Sequence, residues 1–81
     1  MDEILVSVII PAYNCANFIH LALDSALAQD VPLEIIVIND CSKEHLDKVM
    51  EKYRQFPQIR YLKNEANLGV AQTRNRGVVL A

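Results

Sequence analysis

The sequence is short of the residues that interrupt or cross-link a chain, with two glycines, three prolines and two cysteines among its 81 residues. No Gly/Ser-rich or Pro-rich tract is present to act as a linker, so nothing divides it. With 52% hydrophobic and 22% charged residues it lies outside the composition of disordered, collagen-like and low-complexity chains. A chain of this length buries only about 60% of its unfolded surface, which allows one compact domain at most. Cys15 and Cys41 lack C-x-x-C or zinc-type spacing, and two cysteines cannot build a disulfide scaffold. Reduced thiols held by packing are expected, with a Cys15–Cys41 bridge under oxidation as the lesser alternative.

Charge and hydropathy exclude further classes. Eight basic residues are scattered among ten acidic ones, for a net charge of -2, so there is no electrostatic footprint for a nucleic-acid backbone. The longest apolar stretches, Val8 to Pro11 and Ile35 to Ile38, fall far short of the roughly 20 residues that span a bilayer. The chain opens with Asp2 and Glu3 where a secretory signal would carry positive charge, and a cytoplasmic protein is expected. His20 and His45 have no partner at metal-ligand spacing, so no zinc site is expected.

What is present is an alternation of hydrophobic periods. Ile4 to Ile10 is β-branched and nearly continuous and predicts a strand buried on both faces, stopped by Pro11. From about 16 to 29, Phe18, Ile19, Ala22, Leu23, Ala26 and Leu27 recur at helical spacing, with Asn14 as N-cap. Leu33 to Ile38 repeats the buried-strand pattern and ends in Asn39, Asp40, Cys41 and Ser42. Ser42 is suited to cap a second helix whose apolar face is Leu46, Val49, Met50 and Tyr53, and Pro57 ends it. Ile59 to Lys63 is a third strand, Asn64 to Leu68 a loop, and Gly69 to Leu80 a third helix. Gly69 eases entry into that helix, and Gly77 lets it approach the sheet.

The order βαβαβα with short connections predicts an α/β fold with a parallel sheet. The right-handed crossover rule gives strand order 3-2-1, with the first two helices on one face and the third on the other. This is half of a doubly wound, Rossmann-like domain. The first strand keeps an unpaired edge, from which self-association is expected.

In open α/β sheets, ligands bind beyond the carboxyl ends of the strands. The loop after the first strand, Pro-Ala-Tyr-Asn-Cys-Ala-Asn, has none of the glycines of G-x-G-x-x-G, and no Walker A pattern occurs, which disfavours NAD, FAD and P-loop chemistry. What remains is Tyr13 after the first strand, Asp40 after the second and Arg74 in the third helix. A tyrosine ring offers a stacking face. Aspartate only accepts hydrogen bonds and suits a ring N–H such as that of uracil or guanine, while arginine donates to a ring carbonyl. Taken singly, each has a plainer role: Asp40 as a turn or cap residue, Tyr13 as a packing residue, and Arg74 and Arg76 as the solvated face of a helix.

Val-Ser-Val-Ile-Ile-Pro-Ala-Tyr-Asn at 6–14, Glu-Ile-Ile-Val-Ile-Asn-Asp-Cys-Ser at 34–42 and Asn-Leu-Gly-Val-Ala-Gln-Thr-Arg-Asn-Arg-Gly at 67–77 resemble, in order and spacing, the amino-terminal half of family 2 glycosyltransferases with the GT-A fold. The resemblance covers essentially the whole chain. It implies a nucleotide-sugar donor, most often a UDP-sugar, held by Tyr13, Asp40 and Arg74 with Pro11 and Ala12 shaping the loop. It also implies Mn²⁺ or Mg²⁺ and an inverting displacement at the anomeric carbon. Asn39-Asp40-Cys41-Ser42 departs from the common Asp-Asp-Gly-Ser, losing a carboxylate and a glycine. The D-x-D metal motif and the catalytic base of the family are not found in these 81 residues. The expectation is therefore a truncated nucleotide-sugar-binding subdomain over 1–81, with no metal bound to this chain and no appreciable turnover. The alternative is a small non-catalytic α/β module that assembles through its strand edge.

Overall fold

The computed structural model describes residues 6–13, 18–41 and 46–81. Its elements run β1 (Val6–Ala12), α1 (Ile19–Leu27), β2 (Leu33–Asn39), α2 (Leu46–Met50) continued by a 3₁₀ turn (Glu51–Tyr53), β3 (Ile59–Lys63) and α3 (Val70–Leu80). The strands form one parallel sheet in the order β1-β2-β3, as the crossover rule requires. Asn14, Cys15, Ser42 and His45, and with them the expected caps of the first two helices and the Cys15–Cys41 alternative, lie outside the described residues.

The alternation along β2 sorts the core into two layers. Ile35 and Val37 pack with Ile19 and Leu23 of α1, Leu46 and Met50 of α2, and Tyr53. Each such side chain taken out of water contributes about 1.5–3 kcal/mol. Ile38 faces the other way, toward Gly77 of α3. Helices α1 and α2 therefore cover one face and α3 the other. The Tyr53 hydroxyl donates to Asp24 Oδ1 at 3.0 Å and ties the 3₁₀ turn to α1. Arg60 Nη1 donates to the Leu80 carbonyl at 2.9 Å, a cation at the negative end of the α3 dipole.

Three local expectations are corrected. β1 is not buried on both faces: Val6 and Ser7 are exposed and Val8 to Pro11 half-buried, because β1 is an edge strand and only β2 is central. Pro11 does not stop it. The Ala12 carbonyl accepts from the Asp40 N–H at 2.8 Å, so the polar groups of Ala12 face β2 and the nitrogen of Pro11 lies on the open edge, where no donor is needed. In α1 only Ile19 and Leu23 are buried; Phe18 precedes the first turn and is exposed.

Candidate functional site

Strand register aligns the carboxyl ends. Ala12 is opposite Asn39, and Asn39 opposite Lys63. The next residues, Tyr13, Asp40 and Asn64, therefore begin their loops side by side along one edge of the sheet. Two backbone bonds carry the ladder into this row: Asp40 N–H to the Ala12 carbonyl and Asn64 N–H to the Asn39 carbonyl, both 2.8 Å. This is the edge at which open α/β sheets bind ligands.

The sequence-predicted residues differ sharply in environment. Ala12 is fully buried and Pro11 half-buried, forming the base of the loop. Tyr13 keeps 42% of its surface in solvent. Asp40 is only 3% exposed. Its Oδ1 accepts from Asn64 Nδ2 at 2.9 Å and from the Leu68 N–H at 2.7 Å, and its Oδ2 from the Gly69 N–H at 2.9 Å. Burial works to raise the Asp40 carboxyl, but the hydrogen bonds from Leu68, Asn64, Gly69 and the Thr73 hydroxyl outweigh it and hold the group below the ordinary carboxylate range. Asp40 is thus an ionised carboxylate that fastens the entry to α3.

Arg74 is exposed on α3. Its neighbour Thr73 is fully buried beside Asp40, which brings the Arg74 turn to the same edge. Successive helix residues are about 100° apart, so Arg74 and Arg76 project on opposite flanks of α3. Arg76 Nη1 grips the end of β3, donating to the Lys63 carbonyl at 3.1 Å and to Asn64 Oδ1. Arg74 accordingly projects from the flank of α3 opposite the one that Arg76 ties to the end of β3. No hydrogen bond or ion pair joins Tyr13, Asp40 and Arg74 to one another among the described residues.

Sequence reasoning missed Asn64, Thr73 and Arg76, which with Asp40 form one network, buried except at the half-buried Arg76. The available signal was positional: Asn64 is the polar residue directly after a strand, as Asp40 is. Cys41, next to Asp40, has φ +57°, the left-handed conformation that favours glycine. Gly69 enters α3 at φ +86°, as expected of it.

The described residues contain no group of three or more His, Cys, Asp and Glu able to hold a metal ion. They do not supply the divalent-metal site that the resemblance implies, and no chemical step is routed through one. A cleft of about 470 Å³ between α2, the 3₁₀ turn and β3 is lined by residues including Asp47, Met50, Tyr53, Ile59 and Lys63, none of them from the carboxyl-end row.

Residues 7–81 match the family described as Glycosyl transferase family 2. The chain is 43% identical over 79 residues to the chondroitin synthase of Pasteurella multocida (strain Pm70), a stretch that is 95% of this chain and 8% of that protein. It superposes on S. aureus TarS 1–349 in complex with UDP-GlcNAc with a TM-score of 0.84 and 34% identity, covering 94% of this chain and 23% of that one. It superposes equally, at 0.84 and 27% identity, on the mannosyltransferase PcManGT from Pyrobaculum calidifontis in complex with GDP-Man and Mn²⁺, covering 94% of this chain and 24% of that one. The chain thus spans under a tenth of the synthase and about a quarter of the two solved structures.

Proposed function

Since this chain belongs to glycosyl transferase family 2, we propose that residues 1–81 are the nucleotide-recognition part of an enzyme that transfers a sugar from a nucleotide-sugar donor, a UDP-sugar, to an acceptor. The observation that carries this reading is the strand register. It starts the Tyr13 and Asp40 loops side by side, and the exposure of Tyr13, the ionised acceptor at Asp40 and the exposed Arg74 on α3 support a role for these three. The ring stacks on the base, the carboxylate accepts a ring N–H that it shares with its loop donors, and the guanidinium donates to a ring carbonyl. Pro11 and Ala12 hold the loop that presents the ring.

Only bases with a ring N–H next to a carbonyl suit this set, which selects uridine and guanosine nucleotides over adenosine and cytidine. The two solved neighbours, with GDP-Man and UDP-GlcNAc, agree with that restriction. Sugar transfer itself needs groups beyond this set, so the 81-residue chain by itself gives no appreciable turnover. The exposed free thiol of Cys41 suits a reducing, cytoplasmic setting. Among the described residues no helix is long and apolar enough to cross a membrane.

Titration of UDP into isotope-labelled chain tests the reading. Resonance shifts confined to Tyr13, the Asp40 loop and Arg74, and absent with AMP, are expected. Equal shifts with both nucleotides, or none with UDP, would overturn it.

The second reading, a non-catalytic module that assembles with itself, draws on other observations: exposed Val6 on the open β1 edge and exposed Val70, Val78 and Val79 on α3. A tight dimer paired through β1 that ignores nucleotides would favour it.

A further inference from the structure

We propose that Asn64, held by Arg76, is a positioning residue for nucleotide recognition, fixing the Asp40 carboxylate and with it the segment that leads into α3. The inference rests on the nucleotide-binding reading of this edge.

Asn64 is 8% exposed and both ends of its amide are used. Its Nδ2 donates to Asp40 Oδ1 at 2.9 Å and to Thr73 Oγ1 at 3.0 Å, while its Oδ1 accepts from Arg76 Nη1. Only one amide orientation satisfies these partners. A flipped amide would set NH₂ against the guanidinium and an oxygen against the buried carboxylate, two repulsive contacts.

Arg76 is the origin of that orientation. One nitrogen, Nη1, bonds both the Asn64 oxygen and the Lys63 carbonyl, so the guanidinium is tied to the end of β3 at two points. A guanidinium only donates and has no acceptor, so the amide oxygen is the atom that must face it. Because Asn64 donates to Thr73 Oγ1, the Thr73 hydroxyl proton is left to turn toward Asp40, whose carboxyl it helps to hold low. Direction therefore runs from Arg76 through Asn64 and Thr73 to the carboxylate.

The carboxylate then holds Leu68 and Gly69 by their N–H groups at 2.7 and 2.9 Å. Those residues lead into α3, and α3 carries Arg74. If a base N–H comes to share Asp40 with these loop donors, Asn64 and Thr73 are the partners that keep the carboxylate in place. A strand-end asparagine and a helix arginine that touch no ligand would thus set both the acceptor and, through the loop, the position of the guanidinium.

The test compares the parent chain with Asn64→Ala, Arg76→Gln and Arg76→Lys. It reads the Asp40 carboxyl titration by NMR, amide exchange at Leu68 and Gly69, and UDP affinity. Arg76→Gln is included because its site is only half-buried and the chain should still fold. For Asn64→Ala and Arg76→Gln the Asp40 titration should move up, the two amides should exchange faster, and UDP should bind about tenfold more weakly, the loss of roughly one hydrogen bond. Arg76→Lys should restore most of each effect, since a single nitrogen makes both native bonds. Unchanged Asp40 titration and unchanged Leu68 and Gly69 exchange in both variants would overturn the inference, as would full UDP affinity despite a released Asp40. Failure of the parent chain to bind UDP would instead overturn the nucleotide-binding reading itself.

Discussion

Asn39 and Asp40 are consecutive at the end of β2 and serve opposite faces of the sheet. Asn39 Nδ2 donates to the Tyr61 hydroxyl at 2.9 Å, and Tyr61 in turn donates to Asp47, which also pairs with Lys63, all on the α2 side. Asp40 turns to the α3 side and binds Asn64, Leu68 and Gly69. The cause is the period of two of an extended chain. One polar dipeptide therefore anchors both layers, and only its second member belongs to the α3-side network.

Acid should weaken the fold through these carboxylates. Asp40 and Asp47 are both held below the ordinary range, Asp47 chiefly by its bonds from Lys63 and Tyr61. A depressed folded value means stability that is present above the unfolded carboxyl range of about 3.9 and lost as pH falls through the lower folded values. The urea midpoint should hold from neutrality to about pH 5 and drop below about pH 4. Asp40→Asn should flatten part of that drop, at a cost of about 1–3 kcal/mol at pH 7 because an amide NH₂ then meets an N–H donor. A parent midpoint that stays level down to pH 3 would contradict the assignment.

Gly77→Ala should destabilise by about 1–3 kcal/mol. The added Cβ would collide with Ile9 Cγ2 and come within 3.3 Å of Ile38 Cδ1, forcing α3 off the sheet. Chemical denaturation measures this directly, and the double variant with Ile9→Val should recover part of the loss.

Cys41→Gly should act in the opposite sense. Left-handed backbone costs a side-chain-bearing residue about 1–2 kcal/mol, against about 0.5–1 kcal/mol for the greater unfolded entropy of glycine. The net expectation is a gain of up to about 1 kcal/mol, read as a higher urea midpoint. A lower midpoint would mean that the long contact from Cys41 Sγ to the Glu65 carbonyl, 3.8 Å, matters more than the backbone strain.

Arg74→Ala should leave stability within about 0.5 kcal/mol, because the side chain is exposed and makes no hydrogen bond or ion pair among the described residues. UDP affinity should fall about 10- to 100-fold, the worth of one charge-assisted hydrogen bond. At Tyr13 the ring is what stacks, so phenylalanine should retain binding and alanine lose it. Isothermal titration separates these outcomes.

Self-association should grow with concentration in sedimentation runs. Val79→Lys, replacing a residue 84% exposed on α3, should reduce it if that face drives assembly and leave it intact if the β1 edge does. A monomer at millimolar concentration would argue against both surfaces.

Local pattern was enough to determine the element order, the parallel topology and the layer of each helix. Those follow from hydrophobic period and crossover handedness, which are properties of short stretches. It was also enough to make Gly69 and Gly77 special, and it named Tyr13 and Asp40 as candidates because strand ends in such sheets are where polar loops gather, with Arg74 added by the motif likeness. What the tertiary structure alone decided is how those loops are wired. A lone asparagine or arginine on a helix face or after a strand looks solvated in sequence, because its partners lie 9 to 24 residues away, as Thr73 and Asp40 do from Asn64. Pro11 continuing β1 likewise depended on its nitrogen facing the open edge, a matter of register and not of the residue. Whether a buried acceptor is free or already satisfied is set by which donors the packed chain brings to it, and for Asp40 those donors, Asn64, Leu68 and Gly69, come from the connection between β3 and α3.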